Sequence, residues 1–146
     1  MAGNVIFRGP ITHQPRTISK PVAGAYLPGT FVEETATTLA QITTALAKRP
    51  LLLMNLQQKD QDVATAYTSG DTGLGLELVP GLIVQARVAA ATYAKGDPLT
   101  IAASGRLAAA TAATPVVAFF DDTPGAKSAG DLVDVIIANT YTVPAA

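Results

Sequence analysis

The sequence predicts a mainly β protein: a small antiparallel β-barrel or sandwich with an extended N-terminal arm and at most a short helix. Two observations carry this. Leu74, Leu76 and Leu78 alternate with Gly75 and Glu77, and Leu132 to Ile137 begins with the same period of two. A local device also recurs. Ser69-Gly70-Asp71, Lys95-Gly96-Asp97 and Ala129-Gly130-Asp131 each stand just before a strand candidate. Glycine supplies a positive φ and aspartate bonds nearby amides, so each reads as a turn feeding a strand. Such a rhythm at short spacing belongs to small all-β folds. It is not a solenoid repeat, because the intervening residues do not match.

Residues 1–28 stand apart. Pro10, Pro15, Pro21 and Pro28 recur at short intervals, and proline fixes φ and removes a ladder donor. Yet the segment carries Val5, Ile6, Phe7, Ile11 and Ile18. Two readings stand side by side: an extended arm that lies on another surface, or an N-terminal strand folded back on its own domain. On the first, 1–28 is an arm and 29–146 the β-domain.

Thr30 to Lys48 is ambiguous. Leu39, Ile42 and Leu46 have helical spacing, and Thr38 with Gln41 matches a capping box. The many threonines favour strand. From Pro50 the strand signals are clearer. Leu51 to Met54 is a short buried run, and Leu82 to Val88 follows the Pro80-Gly81 turn. Pro98 to Ala102 meets a tight turn at Ser104-Gly105 and returns through Arg106-Leu107-Ala108. Val116 to Phe120 is a further apolar run, and Leu132 to Ile137 closes the series.

The 146 residues suit one domain. Composition is 49% hydrophobic and 14% charged, with net charge −1. That surface is poorly suited to holding nucleic acid or an anionic membrane, and it favours association. With 5% aromatics and no Trp, small side chains fill the core, and oligomerisation would add burial. There is no Cys, which removes disulfides and thiolate chemistry. The first ten residues lack the pattern of a secretory leader, and no apolar run approaches membrane-spanning length. A soluble protein is the expectation.

No catalytic constellation is visible. His13, the one histidine, sits in the proline-rich segment, a poor platform for a triad; the plain reading is a surface or interface histidine. Asp60 with Asp62 lacks the glycine and closing carboxylate of a calcium loop. Asp121, Asp122 and Asp131 surround Gly125, and the plain reading is a solvated turn between strands. Leu74-Gly75-Leu76 lacks the rest of a phosphate-binding fingerprint. Lys95-Gly96-Asp97 is explained by its turn. The basic residues scatter without interleaved aromatics. The expectation is an interaction protein with no cofactor, metal or enzymatic activity.

One further pattern spans Arg49 to Ala138. RPLLLMN leads to Tyr67-Thr68-Ser69-Gly70-Asp71, then to the strand after Pro80-Gly81. The hairpin Tyr93 to Leu107 follows, then VVAFFDD, and Gly130-Asp131-Leu132-Val133-Asp134-Val135 closes it. This order resembles the capsid decoration (cement) proteins of tailed bacteriophages. The resemblance implies strand and turn over Thr30 to Lys48. It implies a homo-trimer or homo-dimer on the outer surface of the virion head, made in the host cytoplasm, that bridges major capsid subunits against the pressure of packaged DNA. On that reading Val5, Ile6, Phe7, Ile11 and Ile18 are capsid contacts, with Arg8 and Arg16 pairing to carboxylates of the shell. A β-domain of a tail or receptor-binding fibre, acting in host attachment, is the alternative.

Overall fold

The computed structural model describes residues 4–10, 12, 15–43 and 48–142. The fold is mainly β and antiparallel. In chain order the strands are β1 Phe7–Gly9, β2 Thr17–Pro21, β3 Phe31–Glu34, β4 Leu39–Gln41, β5 Pro50–Met54, β6 Thr72–Glu77 and β7 Ile83–Arg87. They continue as β8 Ala91–Tyr93, β9 Pro98–Ile101, β10 Leu107–Ala109, β11 Pro115–Phe120, β12 Gly125–Lys127 and β13 Leu132–Thr142. The described residues include two short 3-10 segments, Gln57–Lys59 and Ala103–Gly105.

A five-stranded sheet runs β2-β6-β5-β3-β4, and a six-stranded sheet runs β1-β7-β13-β11-β9-β10. Strands β8 and β12 form a small third sheet. The two large sheets make a sandwich-like fold, and neither closes into a continuous barrel. The larger core contains Ile6, Phe31, Leu52, Leu76, Leu82, Val84, Leu99, Val135 and their neighbours. Within it Tyr93 stacks on Phe120, with ring centroids 5.3 Å apart. A second cluster, Val22, Val32, Leu39, Leu51, Leu53 and Tyr67, uses the other side chains of the same five-stranded sheet. Both faces of that sheet are therefore buried.

The two large sheets repeat one plan. Strand for strand, β2-β6-β5-β3-β4 matches β7-β13-β11-β9-β10 in both chain order and pairing. The bonds between elements match as well. Val22 N donates to Asp71 O, and Val88 N to Asp131 O; Gly70 N donates to Val22 O, and Gly130 N to Val88 O. Gly29 N reaches Leu53 O while Leu53 N returns to Thr30 O; Gly96 N reaches Phe120 O while Phe120 N returns to Asp97 O. Isolated parallel bridges, Val22 to Leu39 and Val88 to Leu107, tie equivalent edges together. This is an internal duplication of topology, which residue matching along the sequence did not show.

The expected turns are present. Gly70, Gly96 and Gly130 have φ of 92°, 86° and 90°. Asp71, Asp97 and Asp131 each accept, through Oδ2, the amide three residues back, at 3.2, 2.8 and 2.8 Å. Thr30 to Lys48 is strand and turn where described, not helix. Thr35 Oγ1 accepts the amides of Thr37 and Thr38 and so shapes the β3–β4 turn. In an extended chain, residues three apart face opposite sides. Leu39 thus enters the second cluster and Ile42 the larger core. The helical spacing reflects a sheet buried on both faces.

Candidate functional site

The N-terminal segment is part of the domain wherever it is described. Strand β1 pairs with β7, placing Phe7 opposite Val84. Strand β2 pairs with β6 from Thr17–Leu76 to Pro21–Thr72. The expected arm is therefore the other reading, strands folded back on their own domain, and the boundary at residue 28 does not separate two bodies. The physical reason is burial. Ile6 is 0% exposed in the larger core, and its carbonyl accepts Gln85 N at 2.8 Å. Gln85 Nε2 also donates to Val5 O at 2.6 Å.

The other proposed contact residues divide. Phe7 is half-buried against the larger core, and Ile18 against the second cluster. The Arg8 Nε lies 3.6 Å from Asp134. Burial pushes the Asp134 carboxyl above its ordinary value, and Arg8 opposes that shift. Arg16, with 77% of its side chain exposed, makes a two-point contact with Glu77 through Nη2 at 2.6 Å and Nε at 3.2 Å. Ile11 and His13 lie outside the described residues.

Arg16 belongs to a charged row that the sequence did not mark. Arg49 bridges Glu77 at 3.0 Å and Glu34 at 3.1 Å, and Lys20 meets Glu34 at 2.8 Å. The Lys20 ammonium beside Glu34, and the Arg16 guanidinium beside Glu77, hold both carboxyls below the usual range. Arg49 and Glu77, with Leu78, Pro80, Val117 and Ile137, line a groove of about 310 Å³ where the two sheets meet. Only the register of β2, β5, β6 and β3 brings these charges together, so no local motif announces them.

Three further carboxylates serve the scaffold. Asp121 pairs with Lys95 at 2.8 Å. Asp122 accepts the amides of Thr123 and Asp134, and Asp62 accepts Ala64 N and Thr65 Oγ1. Among the described residues, no three His, Cys, Asp or Glu side chains are placed to hold a metal ion. Arg87 donates to Pro28 O at 2.9 Å, to Gly130 O at 2.8 Å and to Val63 O. Burial pushes its guanidinium below the ordinary value, with Arg106 adding repulsion. Its role is to fasten three loops. No helix among the described residues is long and apolar enough to cross a membrane.

No family model matches the chain, and no curated protein matches it.

Proposed function

We propose that the chain is a structural protein of a tailed-phage virion. It binds the outer surface of the head and cements neighbouring major capsid subunits. The observation that carries this is the turn-and-strand order from Arg49 to Ala138, which resembles the decoration proteins. The residues that carry the resemblance are scaffold residues: Tyr93 in the core stack, Gly96-Asp97 and Gly130-Asp131 in turns, and Gly105 against the opposite sheet. A protein whose task is to hold a shape against load needs such a scaffold and no reactive centre.

In this reading the shell-facing surface is built from exposed turns and from Arg8 and Arg16. Ile6 is withdrawn into the fold and contacts no shell. Individual contacts can be weak, because many copies on a lattice gain strength through avidity. The test mixes the purified protein with expanded, undecorated phage heads. Co-sedimentation, and added density on the outer shell by electron microscopy, are expected. Label at the tail tip would instead support the fibre reading, and failure to bind heads would refute the proposal.

A further inference from the structure

The duplication exposes a difference between its halves. Strand β7 is bonded on both sides: β13 takes one edge and the N-terminal segment takes the other. On that outer edge Gln85 N donates to Ile6 O at 2.8 Å and Arg87 N to Gly29 O at 3.0 Å. Among the described residues the equivalent strand, β2, is paired along its length on one side, by β6. Arg16 O accepts Glu77 N and Val22 N donates to Asp71 O. By alternation the main-chain groups of Thr17 and Ser19 point outward. Among the described residues nothing takes them. At the far end the edge is closed where Ala23 N donates to Leu39 O.

We infer that the free edge of β2 pairs with β2 of a second copy, antiparallel across a two-fold axis, with Thr17 of each copy opposite Ser19 of the other. This inference is independent of the capsid reading. The edge is self-complementary in that register. Thr17 and Ser19 exchange roughly four main-chain hydrogen bonds across the axis. Pro15 of each copy falls opposite Pro21 of the other. Neither has an N–H, so no donor is left unmade and the pairing stops there. The side chains flanking the contact are small, and Ile18 meets Ile18. Arg16 and Lys20 also fall opposite one another, but each is already paired within its own chain, to Glu77 and Glu34. Edge strands that avoid pairing carry free charge; here the charge is neutralised and, among the described residues, the two donors have no partner. A net charge of −1 adds little repulsion between copies.

The contact is short, at the low end of interface sizes, so a dissociation constant of roughly tens of micromolar is expected. The test is sedimentation equilibrium of the full chain from about 1 μM to 1 mM, a range chosen to bracket that value. Wild type should pass from the 14.9 kDa monomer to a dimer. Ser19→Pro removes an outward donor that the chain's own ladder does not use. Ser19→Asp keeps the donor and adds like charges beside the axis. Each should weaken the dimer at least roughly tenfold while leaving the circular dichroism melt in place. A wild type that stays monomeric throughout, a trimer, or a dimer indifferent to both substitutions overturns the inference. A monomeric wild type that binds heads only when Ser19 is intact would assign the edge to a shell subunit, and likewise overturn it.

Discussion

Replacing Gly105 with alanine tests whether the Pro98–Ala109 hairpin locks the two sheets together. Gly105 has φ of 62° and is buried at the hairpin tip. A β-carbon built there would lie 2.5 Å from the Phe31 carbonyl oxygen and 2.6 Å from Thr30 Cγ2. Neither neighbour yields easily. Phe31 O accepts Ile42 N at 3.1 Å, and Thr30 O accepts Leu53 N at 3.0 Å. A non-glycine residue in this conformation costs about 1–2 kcal/mol, and overpacking a tight contact adds about 1–3 kcal/mol. The sum, about 2–5 kcal/mol, is a large part of the roughly 5–15 kcal/mol that stabilises an ordinary domain. At roughly 3–4 °C per kcal/mol for this size, the melting temperature should fall by roughly 6–20 °C. Ser104→Gly is the internal control. Ser104 shares the turn at φ 63° but is exposed, so relief of strain and added chain entropy nearly cancel, within about 1 kcal/mol. The measurement is a thermal melt of both variants by circular dichroism. A Gly105→Ala protein that melts within about 2 °C of wild type would refute the close approach of hairpin tip and opposite sheet.

The remaining predictions concern the N-terminal segment and the charged groups. Ile6→Ala should destabilise the fold by about 2–4 kcal/mol in urea unfolding, whereas Arg16→Ala should lower the midpoint only slightly, because its pair with Glu77 is exposed and Glu77 keeps Arg49; an unaltered Ile6→Ala midpoint would restore the free-arm reading. Glu34 and Glu77 have depressed pKa values in the folded state, so their stabilisation is present above the ordinary carboxylate range and is lost as pH falls through the depressed values. Wild type should therefore exceed Lys20→Met in urea midpoint at neutral pH and converge with it in acid, while Asp134, raised by burial, acts in the opposite sense; a gap that widens in acid would contradict this. Tyr67 donates to Met54 O, and burial pushes its phenol up to about 12. An ultraviolet titration should show a phenol ionising near that value and disappearing in Tyr67→Phe.

The strands were legible where one face is buried and where a turn precedes them. Asp71, Asp97 and Asp131 do what the spacing of Gly-Asp implied. The β3–β4 region was not legible, because Leu39 and Ile42 serve opposite faces of a doubly buried sheet, and that pattern imitates a helix. The N-terminal segment misled for a related reason. Its prolines exclude a central strand, but β1 and β2 are edge strands, where proline is tolerated. The Arg16–Glu77–Arg49–Glu34–Lys20 row was invisible, since its members come from distant stretches and meet only once the register is set.

The duplication also explains why the two halves read so differently as sequence. Across the equivalence, Gly73 and Gly75 of β6 stand where β13 has Val133 and Val135. The glycines are not a ligand-binding loop; they make room. A β-carbon at Gly73 would meet Val22 Cγ1 at 2.7 Å, with Tyr67 Cε1 at 3.5 Å, and one at Gly75 would meet Leu51 Cδ1 at 3.0 Å. The volume that valines supply in the second half is supplied in the first by Tyr67, entering from the loop before β6, and by leucines of β5. Interiors must be filled to a nearly constant density, but which strand contributes the atoms is free. Two halves can therefore keep one topology, one set of turn bonds and one pair of edge bridges while sharing few residues in register. What is retained is the backbone contract at the turns: glycine amides donating across to a neighbouring strand, as Gly29, Gly70, Gly96 and Gly130 all do.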